Sequence, residues 1–268
     1  MNCTYFCYSG IYVGSTSSFM FLIPFGNWTR DHMTTPVAPA VLTPVGDTGN
    51  YSWANNNILE SISTMKLRAA TDSVFITGGS YVGNYFTPGQ VANVALASNL
   101  LTTQTQVKYI FLRTLNLQPM VSDLAGMFPA SVQRIALNND LIDKFPPGFS
   151  KFTSLKQLFL NYNTIASVDA SMGLDTIAEL ELVGNQVQHF DAVFPDLTKL
   201  ALAVNQLSEI PSVLVKYPRL EQLWLNNNTI SKVTEVHEMD TLTAIDLSYN
   251  LLTDIPPILF NHTKLATV

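Results

Sequence analysis

Glu179 and Glu181 stand two apart in IAELELVGN, a spacing that sets both carboxylates on one face of a strand. Such a pair can do general acid–base chemistry when a pocket holds one member protonated beside a partner base. The neighbouring residues imply neither, so the pair reads as a solvated strand face. GGSYVG, Gly78 to Gly83, invites a phosphate-loop reading, but Ser80 stands where a dinucleotide loop needs glycine. No Lys-Ser/Thr pair follows Gly83, which leaves a glycine turn after a strand. G-x-S-x-G, H-E-x-x-H, H-R-D and D-F-G do not occur. The four histidines, His32, His189, His237 and His262, lie at no metal-ligand spacing. These residue types predict no catalysis, no cofactor and no metal site.

The elements behind those residues must be read from pattern. The chain of 268 residues is 47% hydrophobic and 13% charged, with net charge −6. It has apolar material for a large core and no basic run, which argues against nucleic acid as a partner. Residues 1–130 hold five basic and five acidic side chains, and residues 131–268 hold nine and fifteen. The only cysteines are Cys3 and Cys7, so a disulfide-stapled fold is excluded for nearly the whole chain.

Internal repetition dominates residues 107–268. VQRIALNNDLIDKFP starts at Val132, LKQLFLNYNTIASV at Leu155, IAELELVGNQVQHF at Ile177, LTKLALAVNQLSEIP at Leu197, LEQLWLNNNTISKV at Leu220 and LTAIDLSYNLLTDIP at Leu242. The starts are 23, 22, 20, 23 and 22 residues apart. A weaker copy, VKYIFLRTLNLQPM, begins at Val107 with Leu115 in the ninth place, and KLATV opens a further unit at Leu265. Within x-L-x-L-x the alternation is that of a strand, and one coil can bury its leucines only by stacking on its neighbours. Pro146, Pro211 and Pro256 follow the last apolar position, where no amide donor is needed.

The aligned units read L-x-x-L-x-L-x-x-N-x-L-x-x-I and resemble the leucine-rich repeat family. The resemblance implies an α/β solenoid, a horseshoe with a parallel concave sheet and a mostly irregular or short-helical convex side. It places the ninth-position column, Asp140, Asn163, Asn185, Asn205, Asn228 and Asn250, inward, each amide bonding backbone groups that regular structure leaves over. A buried unsatisfied backbone group costs about 1–3 kcal/mol, so the column is a packing device.

Outward strand positions then define a face. It carries Phe111, Arg113, Arg134, Phe159, Tyr162, Glu181, Trp224, Asn226, Asp246 and Tyr249 as the candidate binding residues. Exposed aromatics with arginine are common interface anchors, so the expected partner is a protein or peptide on the concave face. The competing reading is that these side chains merely cover strand backbone and one another.

Residues 1–57 are an uncharged and then Pro/Thr/Asn-rich segment, expected to be loop or partly disordered. Residues 58–106 are expected to be degenerate opening coils or an N-terminal cap. DSVFITGG reads as a strand there, and VANVALASNLL matches the repeat through Val91, Val94, Leu96, Asn99 and Leu101. FMFLIPF is too short for a bilayer span, which needs about 20 residues, and is a degenerate signal segment, a start-site artefact or an ordered piece. The repeats stop within the last unit, as expected for the front of a longer protein. Membrane contact would come only through a segment not present here.

The function expected is non-catalytic recognition, as the ligand-binding region of a secreted or cell-surface receptor-like protein. A tyrosine-kinase-like domain further along the chain is what such receptors would imply. The alternative is a cytoplasmic scaffold that regulates a signalling enzyme, which the cysteine poverty favours. Sequons at Asn27, Asn50, Asn227 and Asn261, with a further one at Asn2, are candidate glycosylation sites. Their number is close to what chance placement gives.

Overall fold

The computed structural model describes residues 7–8, 17–23, 61–62, 64–67, 69–78, 91–233, 239–254 and 264–266. Its strands are β1 (Cys7–Tyr8), β2 (Ser17–Ile23), β3 (Ser61–Ile62), β4 (Thr71–Gly78), β5 (Ala95–Leu96), β6 (Tyr109–Arg113) and β7 (Arg134–Asn138). They continue as β8 (Gln157–Phe159), β9 (Ser167–Val168), β10 (Glu179–Glu181), β11 (His189–Phe190), β12 (Lys199–Ala201), β13 (Gln222–Trp224) and β14 (Ala244–Asp246).

Each coil contributes one strand to a ten-stranded sheet, ordered β1-β2-β4-β6-β7-β8-β10-β12-β13-β14. All neighbours are parallel except β1 and β2. This is a solenoid horseshoe with the sheet as its concave layer. The register matches the repeat alignment: Leu180 pairs with Leu158 on one side and Leu200 on the other, and Leu223 pairs with Ile245. From β6 to β14 no pair slips, because a one-residue shift would turn every leucine to solvent; the one register shift lies between Ser17 and Ser18 on β2.

The inward positions are sealed. Leu158, Leu160, Leu180, Leu182, Leu200, Leu202, Leu223 and Leu225 are fully buried, as are Val107, Val132, Ile177, Leu197 and Leu220 at the first place. Full burial of one such side chain contributes about 1.5–3 kcal/mol. The convex side returns through short 3-10 turns such as Ser212–Lys216, which begins just after buried Pro211.

A spine of rings that the repeat motif does not include fills the convex half. Phe149 lies 5.3 Å from Phe152, Phe190 6.1 Å from Phe194, and Phe194 6.4 Å from Tyr217. The buried Tyr217 hydroxyl donates to the Ala192 carbonyl oxygen at 2.5 Å.

The first hundred residues differ from expectation in two ways. Within the segment read as loop, Ser17–Ile23 is a strand of the main sheet, pairing along β4, with Phe19 fully buried. VANVALASNLL does not form a rung of that sheet despite its match to the repeat. β4 neighbours β6 directly, and Ala95–Leu96 pairs instead with β3. Leu96, Leu100 and Leu101 are buried all the same. Their motif match reflects burial in the return half of a long coil.

Candidate recognition face

The outward side chains of the sheet divide into three zones. Toward the N-terminal end, Phe75 and Phe111 stack face to face at 4.4 Å with 3° between ring planes. On the next strands the Arg134 guanidinium lies 5.9 Å from the Tyr109 ring centre and 5.7 Å from that of Phe159. Its Nε donates to Gln157 Oε1 at 2.5 Å, which fixes the fork between the rings. Cation–π contacts of this kind contribute about 0.5–1 kcal/mol when exposed and more when desolvated. All five side chains are half-buried, so each ring keeps accessible surface. Arg113, two residues beyond Phe111 and the next outward place on β6, is exposed.

The middle zone is a polar lattice. Lys199 Nζ donates to Glu179 Oε1 at 2.5 Å and to Glu181 Oε1 at 2.8 Å. Gln157 Nε2 donates to Glu179 Oε2 at 2.6 Å, and Asn161 Nδ2 to Glu181 Oε2 at 2.9 Å. The two carboxylates are therefore not a solvated face, as their spacing alone suggested; the coil ahead places a lysine between them. Partial burial pushes Glu179 up. The hydrogen bonds from Lys199 and Gln157, with the charges of Lys199 and Arg134, outweigh it and hold the carboxyl below its usual value. Burial lowers Lys199, and its two glutamate partners more than reverse that. Glu179, held ionised in this way, does not supply a general acid at neutral pH.

In the third zone Trp224 is half-buried; Ala201, its register partner on β12, and Ala203 are buried. Asn226 and Asp246 are half-buried, and Asp246 Oδ1 accepts from the Ser248 amide at 2.9 Å. Phe159 and Trp224 are three rungs apart across β10 and β12, about 14 Å at the usual strand spacing.

The eighth place of every repeat, where the strand ends, adopts a left-handed conformation. It is filled by Thr114, Asn139, Tyr162, Gly184, Val204, Asn227 and Tyr249, with φ between 55° and 69°. Only one of these is glycine, so nothing in the residue types announced it. Tyr162 and Tyr249, placed by sequence on the binding face, sit at this rim and are 45% and 80% exposed. A Cβ at Gly184 would come within 2.7 Å of the Tyr162 ring, so the tyrosine lies across the glycine.

Beneath the face runs the inward ninth column. Asn185 Oδ1 accepts from the Ile165 amide at 3.1 Å, and its Nδ2 donates to the carbonyls of Leu160 and Leu182 at 2.9 and 3.0 Å. Asn163, Asn205, Asn228 and Asn250 repeat the pattern, accepting from the next-placed amide of the preceding coil and donating to its carbonyl and their own. Asp140 departs from it: Oδ1 accepts from the Leu115 amide at 2.8 Å, while Oδ2 has no hydrogen-bond partner among the described residues.

No cluster of three His, Cys, Asp or Glu able to hold a metal occurs among the described residues. Among those residues, no helix is long and apolar enough to cross a membrane. Of the four candidate glycosylation sites, Asn227 alone lies within the described residues, where it is exposed; Asn27, Asn50 and Asn261 fall outside them.

Comparison with known proteins agrees with this geometry. A family model described as "Leucine Rich repeats (2 copies)" matches residues 195–236. Zebrafish keratocan is 24% identical over 235 residues, covering 81% of this chain and 64% of that protein. Mouse lumican is 26% identical over 216 residues, covering 78% and 60%. A Leptospira interrogans leucine-rich repeat protein shares the fold at TM-score 0.61 and 17% identity, over 75% of this chain and 48% of the other. Listeria monocytogenes internalin F does so at TM-score 0.53 and 22% identity, over 74% and 61%.

The chain is a leucine-rich repeat protein.

It spans less than two thirds of the length of these curated relatives. In a leucine-rich repeat protein the strand register ties each outward residue to one neighbour on either side. Aligning coil to coil therefore predicts the contacts that single-strand spacing missed. Lys199 stands in the same place as Glu179 one coil earlier, and Gln157 one coil before that. The ring spine had a signal as well. Three residues before the repeat start come Phe152, Leu174, Phe194, Tyr217 and Met239, all buried.

Proposed function

We propose that the concave sheet docks an extended protein or peptide segment, and that the chain is the non-catalytic recognition region of a secreted or cell-surface protein. One observation carries the docking face: Phe75, Phe111, Phe159 and Trp224 are only half-buried on a sheet whose strand ends the asparagine ladder ties together by hydrogen bonds. Aromatic and arginine side chains on rigid elements are the usual anchors of interfaces, because little side-chain freedom is lost on binding. The Glu179–Lys199–Glu181 lattice between the aromatic zones satisfies its own charges, leaving apolar anchors to either side.

The similarity to keratocan and lumican, which are secreted extracellular matrix proteins, supports a location outside the cell. The absence of cysteine from residues 8–268 favours the second reading, a cytoplasmic scaffold regulating a signalling enzyme.

Panning a peptide-display library against the full chain tests the face. Enriched peptides should lose at least tenfold in affinity, a difference of about 1.4 kcal/mol, for the double variant Phe159→Ala/Trp224→Ala, with its melting temperature nearly unchanged. Equal binding to the variant would remove the face from the account. The compartment has its own test. Chain expressed through a eukaryotic secretory route should shift in mobility on deglycosylation, by one glycan less in Asn227→Gln; an unshifted chain supports the scaffold.

A further inference from the structure

Asp140 occupies the ladder column but lacks what the column requires. Each asparagine there gives an amide to two carbonyls. Asn163 Nδ2, for example, donates to Leu137 O at 2.7 Å and Leu160 O at 3.0 Å. The matching carbonyls one coil earlier belong to Leu112 and Leu137, which are register partners on β6 and β7. A carboxylate turned toward carbonyl oxygens would oppose acceptor to acceptor in a site with no water access, since Asp140 is 0% exposed. Its Oδ1 already serves the Leu115 amide, and Oδ2 is the buried oxygen left without a partner among the described residues.

We propose that Asp140 carries a proton on Oδ2 in the folded protein and donates it to the carbonyl group that an asparagine amide serves elsewhere in the ladder. The neutral acid then supplies one acceptor and one donor, one donated hydrogen bond fewer than a ladder asparagine makes. The joint between the coils of β6 and β7, which carry Tyr109, Phe111, Arg113 and Arg134, becomes sensitive to pH. Burial drives the carboxyl well above its ordinary value; the Leu115 amide and the positive charge of Arg113 pull it down without cancelling that. Arg113 is the charged group facing it from the coil before. The ladder neighbour from the coil after is uncharged Asn163, whose Oδ1 accepts from the Asp140 amide at 2.9 Å. On its own coil Asp143 and Lys144 engage Gln118 and Ser122 on the exposed side.

The sign follows from linkage. The folded chain holds this proton at pH values where the unfolded chain, with an ordinary Asp near 3.9, has released it. The contribution is therefore whole below the unfolded value and is lost as pH rises through the folded one.

Thermal unfolding of the full chain and of Asp140→Asn between pH 4 and pH 8 tests this. The melting temperature of the variant should gain on that of the wild type as pH rises, by about 3 °C or more across the range. A difference that stays constant over the range overturns the proposal. Should the variant fail to fold, carbon-detected NMR of the wild-type chain decides. A carboxyl carbon of Asp140 in the protonated position at pH 6 supports it, and one in the ionised position refutes it.

Discussion

Val204 is a β-branched residue at φ 55°, where its Cβ crowds the carbonyl oxygen. Left-handed backbone costs an L-residue about 1–2 kcal/mol, and asparagine tolerates it best after glycine. Val204 is 47% exposed, so little burial offsets that cost. Val204→Asn should therefore stabilise the protein by about 1 kcal/mol in urea unfolding, a rare sign for a surface change. A loss of stability would mean that the rim valine packs against its neighbours more than its exposure implies. The strain was invisible beforehand because left-handed positions are normally read from glycine, and this column has one, Gly184. The ladder below it was legible for the opposite reason: asparagine recurs at the ninth place, where the resemblance to leucine-rich repeats implies an inward amide. Asp140 broke that pattern in plain view, and its unpartnered oxygen became apparent only with coordinates.

At the scale of elements, the sheet strands were readable from alternation and the convex return was not. Its turns are short and of several lengths, so no period marks them. The rings that fill it nevertheless hold the coils together across that side. Phe194 packs against Phe190 of its own coil, Phe145 of an earlier coil and Tyr217 of the next. Phe194→Ala should cost about 3–5 kcal/mol, read by chemical denaturation, because no neighbour can collapse into the space. A cost under 1 kcal/mol would show that the spine is a covering rather than a core. The candidate face was legible in part. Its aromatic column came from the sequence. The coupling of Arg134 to two rings and of Glu179 to Lys199 depends on neighbours about 20 to 25 residues away, which only the register joins.

For the molecule as a whole, six near-identical units determine the architecture because each can be satisfied only by another like it. The first hundred residues lack a second copy to align against. The participation of Ser17–Ile23 in the same sheet was therefore hidden, although the run is apolar and strand-like. The identical docking of every coil on the next has a consequence for how such a chain can change over time. Copying or removing one whole unit of about 22 residues leaves both flanks facing a partner of the same shape. The surface would lengthen or shorten by one rung, about 4.8 Å, with its chemistry otherwise intact. Adding a single residue inside a strand would instead turn its leucines outward. The molecule is thus open to growth in whole turns and closed to growth in fractions of one.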